Sequence, residues 1–131
     1  FNEPVVEVAV VGAHLQGEPL NWQLIEGGAR KMAETTTAPA YRLYALSGTK
    51  PAKPGLVRVA EQGESIALEL WQMPLRHFGS FVAAVPPPLG IGTVELADGR
   101  LVKGFICEPA GLTNAVDITA FKGWRAYRAA V

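Results

Sequence analysis

A histidine that follows an apolar segment is the residue of this chain best placed for acid–base or anion-binding chemistry. The segment VVEVAVV runs into Gly12-Ala13-His14-Leu15, and Gly17-Glu18-Pro19 comes next. In a turn between a strand and a helix, free backbone N–H groups can bind an anion, and an imidazole there titrates near ~6.5. His14 could then be a proton donor beside an anion. Alternatively it only caps the turn or packs against Trp22, and the residues alone favour neither interpretation.

Three charged residues are further candidates for substrate binding. Arg42 and Arg125 each lie between aromatic residues, in AYRLY and GWRAY. A guanidinium held against rings can bind a carboxylate, although arginines with a purely structural role show the same pattern. Glu95 interrupts the apolar stretch GTVEL, as expected for a strand with one solvated face. It becomes a candidate only if that face opens into a pocket.

The sequence lacks the common motifs for metals and cofactors. It has two histidines, which are not spaced as ligands on one element, and a single cysteine, Cys107. GxSxG, HExxH and P-loop motifs are missing. The stretch GIGTVE follows a proline run and leads into a strand, which is the wrong context for a dinucleotide fingerprint. We therefore predict neither a metal site nor a cofactor.

Composition excludes two classes of partner. Twelve Lys and Arg balance twelve Asp and Glu, whereas a nucleic-acid-binding protein normally carries a basic excess. No stretch approaches the ~20 apolar residues that span a bilayer, and the N-terminus does not resemble a signal peptide. A lone cysteine excludes an internal disulfide. We therefore expect a cytoplasmic protein with no nucleic-acid or membrane partner.

The elements that must position these residues can be placed from hydrophobic pattern and turn residues. A strand is predicted over residues 5–11 and a helix over 19–27, followed by two strands separated by Pro39. LVRVA and SIALELWQM are predicted to pair as antiparallel strands around Gly63. A second helix should run from Pro74 until the prolines at 86–88. GTVELADGRLVKGFICE reads as a hairpin, and DITAFKGWRAYRAAV as a short strand or turn with an undefined end.

The number and order of these elements predict the fold class. Six or seven strands arranged as hairpins, with two short helices, indicate an α+β domain with a curled, mostly antiparallel sheet. At 131 residues, with 49% apolar residues, the chain fits one domain with a real core.

Several segments together resemble the C-terminal domain of allophanate hydrolase. They are VVGAHLQGEPLNWQL, TTTAPAYRLYAL, KPGLVRV, FVAAVPPPLGIGTVELADGRLVKGF and DITAFKGWRAY. This resemblance implies a fold like that of γ-glutamyl cyclotransferase: a small mixed, mostly antiparallel β-barrel with two or more flanking short helices. It also implies that residues 1–131 form one domain, the C-terminal part of a longer polypeptide that carries an amidase domain.

The same resemblance implies a reaction. The amidase domain would hydrolyse allophanate to N-carboxycarbamate and ammonia, and the C-terminal domain would promote decarboxylation of this small dicarboxylate to CO₂ and ammonia. His14 would be the catalytic proton donor. Substrate binding would fall to the turn and the charged candidates, namely Gly12, Ala13, Leu15, Arg42, Glu95 and Arg125.

Two other functions remain open. The domain could be a non-catalytic module for assembly or dimerisation, in which case a large exposed apolar patch and a possible homodimer are expected. It could also retain γ-glutamyl cyclotransferase-like activity, with Glu95 as general base. We rank this third, because the YGSL-like turn of that fold is replaced by Gly12-Ala13-His14-Leu15.

Overall fold

The structure of the protein is a computed structural model that describes residues 3–131. Two sheets and three short helices surround one apolar core. The strands are β1 (Val5–Val10), β2 (Arg30–Thr36), β3 (Tyr41–Ala45), β4 (Pro54–Arg58), β5 (Ala67–Pro74), β6 (Leu89–Glu95), β7 (Leu101–Cys107) and β8 (Val116–Asp117). The α-helices are α1 (Asn21–Glu26), α2 (Leu75–Ala83) and α3 (Trp124–Ala130), with 3₁₀ turns at Pro109–Leu112 and Thr119–Phe121.

Strand β1 lies at the centre of the larger sheet, whose order is β2-β5-β1-β7-β6. It is antiparallel to β5, with Val10 opposite Glu69, and parallel to β7, with Val8 opposite Lys103. Val8 and Val10 are completely buried. The prediction of an interior strand over residues 5–11 is therefore confirmed, and the His14 turn leaves from the middle of the sheet.

The predicted fold class is confirmed, but the barrel is not. The second sheet has three strands, β4-β3-β8, and it is separate from the five-stranded one. All strand pairs except β1–β7 are antiparallel. The domain is thus α+β with two mostly antiparallel sheets, rather than a closed barrel.

The predicted pairing of LVRVA with SIALELWQM is wrong. Strand β4 pairs with β3, whereas β5 lies between β2 and β1 in the other sheet. Gly63 is not the centre of a hairpin but a point of close packing, since a Cβ there would lie 2.6 Å from the carbonyl carbon of Ala40. Leu68, Leu70 and Trp71 are all buried, so β5 needs an interior position that pairing with β4 alone would not provide.

The hairpin between β6 and β7 is confirmed. Glu95 lies opposite Leu101, and Leu96 N donates to the carbonyl of Arg100 over 2.8 Å. Gly99 has φ +89°, a conformation that a side chain would strain. An Asp-Gly pair at the tip therefore sets the register of the whole hairpin.

The first two helices match their predictions, while the C-terminal helix was not predicted. Within residues 3–131, α2 buries Phe81 and is followed by Pro86, and no helix is long and apolar enough to cross a membrane. Helix α3 buries Trp124, and the ring of Tyr127 packs 5.5 Å from it, one helical turn further on. The predicted short strand is present as β8.

Candidate functional site

The turn that carries His14 is fixed by its own hydrogen bonds. Leu15 N donates to the carbonyl of Gly12 over 3.0 Å, and Leu20 N to the carbonyl of Ala13 over 2.8 Å. Asn21, the first residue of α1, donates its side-chain amide to the carbonyl of His14 over 2.9 Å. These bonds satisfy backbone groups that a buried turn could not leave unpaired. The histidine therefore sits on a rigid segment between β1 and α1.

His14 is buried among aromatic side chains, with 7% of its surface exposed. Its ring stacks on Phe105 at 4.5 Å and meets Phe81 edge-on at 5.6 Å. Trp22, the partner considered from the sequence, is 54% exposed. Nε2 lies 2.7 Å from Oε1 of Gln23, and the tautomer that donates to this oxygen carries its proton on Nε2. Within residues 3–131, Nδ1 makes no hydrogen bond, and it is the nitrogen available to a ligand.

The surroundings of His14 favour the neutral imidazole. Burial lowers the pKa of His14 below its usual value, because desolvation disfavours the charged form. The hydrogen bond to Gln23 opposes this effect, and the positive charge of Lys53 adds to it. A bound anion would reverse the balance, since a negative charge nearby raises the pKa of an imidazole.

A small cavity connects His14 with a buried lysine. Its volume is about 20 Å³, which is room for about one water molecule. The lining residues are Val11, Gly12, Ala13, His14, Lys53, Pro54, Leu89 and Phe105. Lys53 is 8% exposed, and its ammonium makes no hydrogen bond or ion pair within residues 3–131. Sequence reasoning missed Lys53, because it stands in a Pro- and Gly-rich loop with no periodic pattern.

Gly12 allows the turn to pack against the start of β4. A Cβ at this position would lie 2.2 Å from Cδ of Pro54, whose ring cannot rotate away. We expect Gly12→Ala to reduce the free energy of unfolding by about 1–3 kcal/mol through overpacking, measured by urea denaturation. Gly79→Ala in α2 is a matched control, because nothing lies within 4 Å of the added methyl group. Equal stability of the two variants would contradict this account.

A buried carboxylate holds the turn from its other side. Glu69 of β5 is 1% exposed, and its Oε1 accepts hydrogen bonds from Gln16 N at 2.8 Å and Trp71 Nε1 at 3.0 Å. Its Oε2 has no well-aligned hydrogen bond but lies 3.0 Å from Nη1 of Arg125 as an ion pair. Arg125 also donates to the carbonyl of Gln16. The backbone N–H of Gln16 therefore already binds an anionic group of the protein itself, the carboxylate of Glu69.

The structure brings together only part of the predicted site. Gly12 and Ala13 line the His14 cavity, whereas Leu15 and Arg125 line a separate groove of about 480 Å³ that also contains Glu69.

Arg42 and Glu95 do not line the His14 cavity. Arg42 binds Asp117 at 2.9 Å, and Glu95 binds Arg58 at 2.8 Å. Both side chains thus have charged partners of their own, away from the histidine.

The described part of the chain offers no obvious metal centre. Within residues 3–131, no group of three or more His, Cys, Asp or Glu side chains could hold a metal ion. The chemistry of the cavity is therefore that of an imidazole and an ammonium.

Comparison with known proteins assigns the chain to a family. Residues 6–129 match the family described as the allophanate hydrolase C-terminal domain. The chain belongs to this family. Urea amidolyase of Lachancea kluyveri is 50% identical in an alignment 129 residues long, which covers 95% of this chain and 7% of that protein. Allophanate hydrolase of Kluyveromyces lactis is 48% identical and has a TM-score of 0.94, covering 97% of this chain and 21% of that one.

This allophanate hydrolase C-terminal domain also resembles a protein of its own size. The solved structure of a uropathogenic E. coli-specific protein is 31% identical, with a TM-score of 0.90 over 98% of both chains. The chain thus spans a small fraction of the two longer relatives but the full extent of this one.

More distant structures share the fold alone. An AIG2-like protein of Mus musculus is 17% identical over 82% of this chain, with a TM-score of 0.56. The expected γ-glutamyl cyclotransferase-like fold is therefore confirmed.

Proposed function

We propose that this domain promotes the decarboxylation of N-carboxycarbamate, with His14 as the proton donor. The observation that carries the proposal is the cavity that is lined both by the buried imidazole of His14 and by Lys53, whose ammonium makes no ion pair within residues 3–131. Membership of the allophanate hydrolase C-terminal domain family supports a role in allophanate breakdown. The substrate is then a dianion with a carboxylate on each side of one nitrogen.

The reaction requires a proton at that nitrogen. When the C–N bond to one carboxylate breaks, CO₂ leaves and the electron pair remains on nitrogen. The nitrogen takes up a proton from the imidazolium, which gives carbamate, and carbamate then breaks down with a second proton to CO₂ and ammonia. An acid beside the nitrogen stabilises the charge that develops in the transition state. Nδ1 of His14 is the position from which this proton would come.

The neutral resting state of His14 is compatible with this role. Two carboxylates entering the cavity raise the pKa of the imidazole, so the substrate draws a proton onto His14 as it binds. The positive charge of Lys53 opposes protonation of His14. The carboxylates of the substrate compensate this charge at the same time. The acid is thereby formed only when its substrate is present.

Substrate entry requires the cavity to enlarge. N-carboxycarbamate is far larger than the single water molecule for which the cavity has room. The long, flexible side chain of Lys53 lines the cavity and can shift without disturbing the hydrogen-bonded turn.

The proposal is tested by supplying the substrate enzymatically. A saturating amount of an allophanate-hydrolysing amidase generates N-carboxycarbamate from allophanate, and CO₂ release is followed with and without this chain. We expect the chain to accelerate CO₂ release above the uncatalysed rate. An unchanged rate at every chain concentration would contradict the proposal.

The acceleration should also depend on pH in a defined direction. His14 acts as an acid, so only the protonated form in the complex is active. We expect the acceleration to fall about tenfold per pH unit once the pH exceeds the pKa of His14 in the complex. The measurement is the CO₂ release rate between pH 6 and 9, corrected for the background at each pH. An acceleration that rises with pH would assign His14 to a base instead.

A second candidate function is assembly. Trp22 and Ile25 are both more than half exposed on α1 and lie on the same face, one turn apart. Such a face suits a homodimer or contact with an amidase domain in the same polypeptide. Sedimentation of the chain and of Trp22→Glu tests the homodimer, which predicts a loss of dimer in the variant. We place this assembly in the cytoplasm, in agreement with the free thiol of Cys107.

A further inference from the structure

We propose that Lys53 binds the carboxylate that the substrate keeps, and that Lys53 together with the protonated imidazole of His14 makes the cavity selective for dianions. This inference rests on the proposed function and extends it to a residue with no place in the sequence-based site. Lys53 would bind both the substrate and the carbamate product, whereas His14 would act only in the step that breaks the C–N bond.

The burial of Lys53 without a partner is the first observation. As a residue it is 8% exposed, and it lines the His14 cavity. Lysines are rarely buried unless they are paired, because a desolvated ammonium needs a compensating anion. Within residues 3–131, no carboxylate forms an ion pair with it. An anionic ligand in the cavity would provide this compensation.

The backbone around Lys53 is held in place. Its N–H donates to Oγ1 of Thr49 over 3.0 Å, and its carbonyl accepts from Leu46 N over 3.0 Å. The next residue, Pro54, packs tightly against Gly12 of the turn. The ammonium and the imidazole therefore reach one cavity from two elements in fixed contact.

The candidate arginines are occupied elsewhere. Arg42 pairs with Asp117, and Arg125 pairs with Glu69. Neither is among the residues that line the cavity. Lys53 thus supplies the cation that the sequence-based hypothesis assigned to an arginine.

A single ammonium suits decarboxylation better than two cations would. Binding both carboxylates equally in the ground state and the transition state would not accelerate the reaction. One lysine can hold only one carboxylate strongly, so the other is left less well bound and can leave as CO₂. Because the held carboxylate is unchanged in the carbamate product, Lys53 contributes mainly to binding and not to the chemical step.

Malonate is the probe for this site, because it replaces the nitrogen of the substrate by carbon and does not decarboxylate. Its affinity is measured by calorimetry for the unaltered chain, Lys53→Met, Lys53→Arg and the control Lys103→Met, an exposed lysine of β7. Acetate serves as the monoanion. Charge-assisted hydrogen bonds support an expected rise of about tenfold to a hundredfold in the malonate Kd of Lys53→Met. Lys53→Arg should recover part of this loss, and Lys103→Met should match the unaltered chain.

A second readout separates binding from chemistry. The rate at which the amidase supplies N-carboxycarbamate is varied. For each variant, this series gives the N-carboxycarbamate concentration at which CO₂ release is half-maximal. We expect Lys53→Met to raise this level while the maximal rate changes much less. Lys53→Met should also be about as resistant to thermal unfolding as the unaltered chain, since within residues 3–131 the ammonium has no hydrogen bond or ion pair to lose.

The outcomes distinguish this inference from the function on which it rests. If malonate binding requires Lys53 but the chain does not accelerate CO₂ release, the dianion site stands and decarboxylation is wrong. If the chain accelerates CO₂ release but Lys53→Met binds malonate and substrate as before, decarboxylation stands and the role of Lys53 is overturned. Equal affinity for acetate and malonate would overturn it as well.

Discussion

Replacement of His14 by asparagine is expected to abolish the acceleration of CO₂ release while the chain remains folded. General acid catalysis contributes typically about 10²–10⁴-fold to a rate, and asparagine has no titratable proton to supply. Its shorter amide takes the position of the imidazole Nδ1, so the hydrogen bond from Nε2 to Gln23 is lost with the ring. The loss of stacking on Phe105 should lower the free energy of unfolding by about 0.5–1.5 kcal/mol, and circular dichroism and urea titration will measure the total loss.

The other histidine of the chain provides a matched control. His77 lies on α2, outside the residues that line the His14 cavity. His77→Asn should therefore keep the full acceleration and its pH dependence. If His14→Asn accelerates CO₂ release as well as His77→Asn does, His14 is not the acid.

The largest loss of stability is expected from Glu69→Leu. Leucine leaves the buried Trp71 Nε1 and the partly buried Gln16 N without an acceptor, and a buried unpaired donor costs about 1–3 kcal/mol. Arg125 can turn toward solvent, so its cost is smaller. We expect the free energy of unfolding to fall by roughly 2–5 kcal/mol, a large share of the ~5–15 kcal/mol of an ordinary domain. Glu69→Gln retains one acceptor oxygen and should lose less.

The charge on Glu69 also sets a response to acid. Burial works to raise its pKa, but the hydrogen bonds from Gln16 and Trp71 and the contact with Arg125 outweigh burial, so the net pKa is lowered. A lowered carboxyl pKa stabilises the folded state above the unfolded value of ~4.3, and this stability is lost as the pH falls through the folded pKa. Denaturation at a series of pH values should show this loss below about pH 4, and Glu69→Gln should show less of it. The exposed Glu61→Gln is the control.

The sequence predicts those parts of the fold whose signals are local. An apolar run ending at a glycine located β1 and the turn of His14, and an Asp-Gly pair located the β6–β7 hairpin. Which strands pair with each other cannot be predicted from local signals, because pairing depends on how the whole core packs. LVRVA and SIALELWQM therefore suggested a hairpin, although β4 and β5 belong to different sheets.

Two residues near the turn of His14, Lys53 and Glu69, were not predicted from the sequence. Lys53 stands among prolines and glycines, where nothing indicates that its side chain is buried. Glu69 interrupts ALELWQM, and a charge inside an interior strand is a sign of a buried ion pair. Its partner, Arg125, is far away in sequence, so only the fold reveals that the two meet. Helix α3 was missed because seven residues at a chain end give too short a period to recognise.

The parallel pairing of β1 with β7 has a consequence for the order of folding. Val8 finds its partner near Lys103, so the loop that must close spans most of the chain, and such long-range pairing is slow to form. During synthesis, the segment carrying His14 leaves the ribosome before residues 101–107 and remains without this neighbour until they have followed. In that interval VVEVAVV is an unprotected, β-prone apolar segment. The turn that holds His14 is thus among the last parts of the domain to become ordered, and chains truncated before β7 are expected to aggregate.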